Sequence, residues 1–183
     1  MYNHWEKDAI DSARAIESIK NTYLPKVIEG KIHTIESMDN EMLILMDVKS
    51  GIDYIREDDF GLQGIAARCQ WEKAYNTFTI REKRYTGTIT ELEKRKIAID
   101  RGYLYPTFTL QAYFDNRVNN ELLSLGIIKT LELYNFIKNN PDKVHKNKSD
   151  NDFVYVRWHD LGNNVKKIYH NLPVNPHLKE TPC

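Results

Sequence analysis

A chain of 183 residues is about one domain long, enough to bury an adequate core without disulfides or a structural metal. Its 41% hydrophobic and 28% charged residues are ordinary for a globular protein. The 26 basic residues balance 26 acidic ones, which excludes any global electrostatic pull toward nucleic acid or anionic membrane, so a basic surface has to be local.

Cys69 and Cys183 are the only cysteines, which argues against a disulfide framework and for a reducing compartment. The N-terminal MYNHWEKDAIDSARAIE carries charges where a signal peptide needs an apolar run. No apolar stretch reaches the roughly 20 residues that span a bilayer. The expectation is a cytoplasmic protein, of a bacterium or an infected cell, without a membrane partner.

Along residues 7–23, Ala9, Ile10, Ala13, Ile16, Ile19 and Tyr23 recur at helical spacing, with Lys7, Asp11, Arg14, Glu17 and Lys20 between them. That pattern predicts an amphipathic helix, ended or kinked near Pro25. KIHTIE alternates weakly, as a short strand would, with His33 at the surface. EMLILMDV is apolar and of ambiguous type. Three strands are expected next, at 51–57, 62–71 and 77–82, forming an antiparallel meander if the turns at 58–61 and 72–76 are hairpins. Within LQGIAARCQW, Ile65, Ala67 and Cys69 share one face, and Ala66, Arg68 and Gln70 the other.

The stretch TITELEKRKIAIDRG opens on two overlapping capping boxes, Thr88 with Glu91 and Thr90 with Glu93, and Gly102 supplies its stop. TFTLQAYF and ELLSLGIIKT read as paired strands, LELYNFIKN as a helix, and FVYVRW as a last strand. The whole is expected to be an α/β (α+β) domain over 1–160, with one central mixed sheet flanked by helices. Residues 161–183 form an Asn/Pro-rich extension expected to be irregular.

No Walker loop, GxGxxG, HExxH or paired CxxC is present, and the histidines lack metal-ligand spacing. What remains is an order: a helix, a meander carrying Asp53, a strand carrying Arg68, a helix, a strand. With GID at 51–53 and GIAARCQ at 64–70, that order resembles the restriction-endonuclease-like, or PD-(D/E)XK, nuclease superfamily over about residues 5–115. The resemblance implies that core fold with an added hairpin and C-terminal strand. It also implies metal-dependent phosphodiester hydrolysis on DNA or RNA. Asp53 would hold Mg2+, Arg68 would take the lysine position, and Glu91, from the following helix, would replace the missing carboxylate. Catalysis would then fall to Asp53, Arg68 and Glu91, with Asp53 and Glu91 as metal ligands.

This sequence departs from the pattern at two places. Ala66 stands where a carboxylate is needed, and arginine stays protonated, so Arg68 suits phosphate binding better than activation of water. Gln70, on the face of Arg68, is a further oxygen donor. Arg81, Lys83 and Arg84, beside Tyr85, form a local basic patch that could meet phosphates.

Structural roles compete with each of these. Asp53 could cap a turn, Arg68 could pair with Glu91 or Asp53, and Glu91 suits a helix start. The functional readings left open are a rearranged nuclease, an inactive module of the same fold that binds nucleic acid or a protein, and a small-molecule enzyme using the same polar cluster.

Overall fold

In a computed structural model, residues 4–35, 41–42, 46–83, 87–147 and 152–169 are described, with backbone alone for 4–9. The architecture is α+β. A mixed six-stranded sheet is joined by a second, three-stranded sheet, and helices flank both.

Helix α1 (His4–Ser18) runs through a π turn (Ile19–Tyr23) into the short α2 (Leu24–Val27), where Pro25 sits in the first turn. Its buried stripe is Asp11, Ala15, Ile19 and Tyr23, whereas Ile10, expected on the core face, is 61% exposed and Ala13 is exposed too. The stripe is rotated because Asp11 is drawn inward to Arg117, with Nη1–Oδ2 at 3.4 Å. Hydrophobicity alone does not reveal such a partner.

Strand β1 (Lys31–Thr34) follows, then a π turn (Met46–Ser50), β2 (Tyr54–Asp58) and β3 (Gly61–Trp71). β1, β2 and β3 form an antiparallel meander. The β2–β3 turn is tied by Asp58 Oδ1, which accepts the N–H groups of Phe60 and Gly61 at 2.9 and 3.1 Å. His33 of β1 meets Glu57 Oε2 at 2.8 Å.

The meander therefore differs from the expected one. Its third member is β3, and β4 (Thr77–Arg81) leaves for the second sheet. Two residues with left-handed backbone, Glu72 (φ 80) and Asn76 (φ 52), turn the chain away from β3. The free edge of β3 is taken by β5 (Phe108–Phe114), which lies parallel to it with Arg68 opposite Gln111.

Between them α3 (Glu91–Arg101) is capped as expected. Glu93 N donates to Thr90 Oγ1 at 3.2 Å, Thr90 N donates to Glu93 Oε2 at 2.8 Å, and Gly102 closes the helix at φ 65. The Thr90 N–H, together with the Thr90 hydroxyl that donates to Glu93 Oε2 at 2.9 Å, also holds the Glu93 carboxyl below its usual range. β5 turns into β6 (Leu122–Lys129), which leads into α4 (Thr130–Asn139).

β7 (His145–Lys146) and β8 (Phe153–Arg157) complete the second sheet. FVYVRW was expected to extend the one central sheet. It pairs with β4 instead, because Phe78 and Ile80 alternate with Val154 and Val156 to build a shared apolar face. β9 (Lys166–Tyr169) pairs antiparallel with β6, so a strand occupies part of the extension expected to be irregular.

One core packs α1 and α2 on the central sheet through Ala15, Ile19, Leu24, Tyr54, Ile65, Ala112 and Phe114. The other fills the space among the opposite face, α3, α4 and the second sheet with Phe78, Tyr113, Leu133, Val156 and Trp158. Among the described residues no helix is long and apolar enough to cross a membrane.

Candidate functional site

The strand alternation of β3 decides what can meet. Ala67, Cys69 and Trp71 pack toward the α1 core, which sends Ala66, Arg68 and Gln70 to the face shared with α3 and the second sheet. There a cleft of about 380 Å³ is lined by Asp53, Arg68, Glu91, Lys94, Arg95 and Gln111, among others. Three of the residues proposed from sequence, Asp53, Arg68 and Glu91, share this one cleft.

Asp53 stands just before β2. Its main chain is held on both sides, by Ile35 N at 3.0 Å and by Ile65 O at 2.9 Å. Its Oδ2 accepts the Ala67 N–H at 2.6 Å, so the carboxylate is fixed against β3.

Glu91 is available because the second of the two overlapping capping boxes is the one formed. Thr90 and Glu93 satisfy the helix start and leave Glu91 to turn toward the sheet. Its Oε2 accepts Arg68 Nη2 at 2.6 Å and the Arg81 N–H at 3.3 Å. The guanidinium groups of Arg68 and Arg81 both stand against the Phe153 ring, 5.1 and 4.5 Å from its centroid. Arg81 and Phe153 face each other in the β4–β8 register, which brings the ring alongside both guanidinium groups.

Arg95 was not singled out from sequence, yet it anchors the site. It is 7% exposed, and its guanidinium donates to the carbonyls of Ser50 and, at 2.9 Å, of Gly51. This ties α3 to the turn that delivers Asp53. Burial pulls its pKa down, against the charges of Tyr134, Glu91 and Asp53. Gly51 has φ 60, and a Cβ there would lie 2.8 Å from Arg95 Nη2. The glycine of GID is thus favoured by its backbone conformation, and a side chain there would also displace the Arg95 guanidinium.

The remaining proposed residues lie elsewhere. Gln70 reaches past the cleft, where Gln111 Nε2 donates to its Oε1 at 3.3 Å, and Gln111 Oε1 in turn accepts from Thr79 N at 3.4 Å. Lys83 is exposed beyond the end of β4. Arg84 lies outside the described residues. Phe153 and Gln111 also escaped the sequence reading. Their only signal is strand pairing over long separation, invisible until β8 is known to lie beside β4 and β5 beside β3.

The donor set does not fit Mg2+ as arranged. Asp47, Asp53 and Glu91 all line the cleft, but among the described residues no group of three His, Cys, Asp or Glu side chains is arranged to hold a metal ion. Ala66 offers no side-chain oxygen, one oxygen of Asp53 is engaged with β3, and one oxygen of Glu91 is engaged with the Arg68 guanidinium. The arrangement is that of a guanidinium–carboxylate pair backed by an aromatic ring and two amides. Compared with protein-family models, curated proteins and solved structures, the chain matches none.

Proposed function

We propose that the chain is a nuclease-fold module that binds nucleic acid without cutting it, its acidic site replaced by the Arg68–Glu91 pair. The observation that carries this reading is the 2.6 Å contact itself, which commits a Glu91 oxygen to a guanidinium in place of a metal ion. The element order supports the fold relationship: helix, antiparallel meander with Asp53 leading into its second strand, helix, and a strand beside Arg68. Arg68 would hold a phosphate with the donors that Glu91 leaves over, and Arg81 would add charge behind it. A cytoplasmic setting belongs to the same reading.

The test is titration of labelled single- and double-stranded oligonucleotides at several salt concentrations, with and without Mg2+ or Mn2+. Binding should weaken as salt rises, with a log–log slope of about −1 to −3 for a few phosphates. It should also weaken several-fold in Arg68→Met and Arg81→Gln. Affinity indifferent to salt and to both substitutions would remove the reading.

The same experiment addresses a second one. Asp53 and Glu91 do share one cleft with Arg68, which favours a metal-dependent nuclease whose ion pair opens when metal binds. Cleavage that needs the metal and disappears in Asp53→Ala would establish that reading in place of the first.

A further inference from the structure

Beside the cleft lies a second concavity of about 760 Å³, lined by the second sheet, the end of β3 and β9. We propose that it is a binding groove for the unstacked bases of a single-stranded nucleic acid. The idea shares its ligand class with the reading above; its charge and stacking arguments rest on different side chains, and its continuity argument rests on that reading.

Charge gives the first argument. In a chain with equal numbers of acidic and basic residues, Arg157, His159 and Lys167 line the groove, and among the described residues no carboxylate does. The nearest acid partner is Asp160, 3.3 Å from His159 Nε2. A surface of one sign attracts a phosphodiester and repels acidic peptides.

The aromatic side chains give the second. Tyr75 and Tyr169 line the groove and are 59% and 56% exposed, so each offers a ring face to solvent. Each is braced by a buried ring, Tyr75 by Tyr113 at 6.2 Å and Tyr169 by Trp158 at 6.4 Å. Tyr155, half-buried, is the third ring. Exposed rings that are held in place accept a base by stacking at small entropic cost, and they take any base because every base has a π face. A duplex keeps its base faces occupied and cannot use them.

The side-chain amides of Gln70 and Asn76, whose oxygens accept from Gln111 and Ser124, supply NH2 donors for base edges. The volume falls in the range of small-ligand sites, about 300–1,000 Å³, and suits one or two nucleotides.

The third argument is continuity. Thr79 lines both concavities, and the Gln70–Gln111 hydrogen bond forms the wall between them. Gln70 follows Arg68 by one alternation of β3, about 7 Å along the same face. A strand whose phosphate rests at Arg68 can therefore lay its next bases into the groove.

The experiment is fluorescence anisotropy with labelled oligo(dT), oligo(rU) and a duplex, each about ten nucleotides long. The single strands should bind at least about tenfold more tightly than the duplex, and the dT and rU arms separate DNA from RNA. Tyr75→Ala should lose about tenfold and Tyr75→Phe almost nothing, since the ring alone stacks. Arg157→Gln, at an exposed position, should flatten the salt dependence. Equal affinity for the duplex, or loss confined to Arg68→Met with Tyr75→Ala unaffected, overturns the groove while leaving the cleft reading intact. Loss in the groove variants with Arg68→Met unaffected keeps the groove and overturns the cleft reading. No binding to any of the three probes overturns both.

Discussion

Arg68 Nη2 and Glu91 Oε2 lie 2.6 Å apart although 23 residues separate them in the chain. The contact joins the middle of β3 to the first turn of α3 and closes one end of the cleft. With 32% and 28% of the two side chains exposed, solvent still screens the pair, so its worth is modest. A double-mutant cycle with Arg68→Met and Glu91→Gln, read by urea unfolding, should give a coupling of about 1 kcal/mol that shrinks at high salt. Strictly additive effects would show that the pair stabilises nothing and only occupies the site.

Cys69 sits one residue from Arg68 but on the opposite face, packed against the helix-side core. Burial pushes its thiol up to about 12, the Asp53 charge adding to the shift and Arg68 opposing it. In a Cys183→Ser variant, alkylation near pH 8 should run on the order of a thousandfold slower than for an ordinary thiol, because the thiolate is scarce. The rate should keep rising with pH well past the usual thiol range and become ordinary in denaturant. A plateau near pH 9 in the folded protein would mean that the thiol is not desolvated.

Gly126, in the middle of β6, lies beneath the indole of Trp158. A Cβ at this position would fall 2.6 Å from Trp158 Cε2 and 2.7 Å from Cζ2. Trp158 is 1% exposed and packed against Phe78 and Tyr113, so it has no room to retreat. Gly126→Ala should therefore lower stability by about 1–3 kcal/mol through overpacking, visible as a lower unfolding midpoint and altered tryptophan fluorescence. An unchanged midpoint would show that the second sheet can shift away from the first.

Much of the fold was legible because it is local. The alternation of β3, the Thr90–Glu93 and Gly102 caps of α3, the β5–β6 pair and α4 all follow from periods of two or 3.6 and from end signals. The convergence of Asp53, Arg68 and Glu91 could be expected once β3's faces were assigned and α3 was known to start near Glu91. What escaped depends on partners far away in sequence. An alternating pattern tells which face of β4 is apolar but not which strand lies beside it, so β4 was placed next to β3 when it belongs to β8. The same gap hid Phe153 and Gln111. The rotated stripe of α1 is another instance, since only Arg117 explains why Asp11 is inside and Ile10 outside.

The parallel pairing of β3 with β5 means that the segment 51–95, which carries Asp53, Arg68 and Glu91, is no transferable cassette. Arg68 is flanked by Gln111, 43 positions further on by subtraction, and Arg81 by Phe153 from beyond α4. A fragment ending after α3 would keep all three side chains and lose both walls that orient them. Assembly of the cleft must accordingly wait for late-arriving portions of the polypeptide, whose closure spans long loops and is slow.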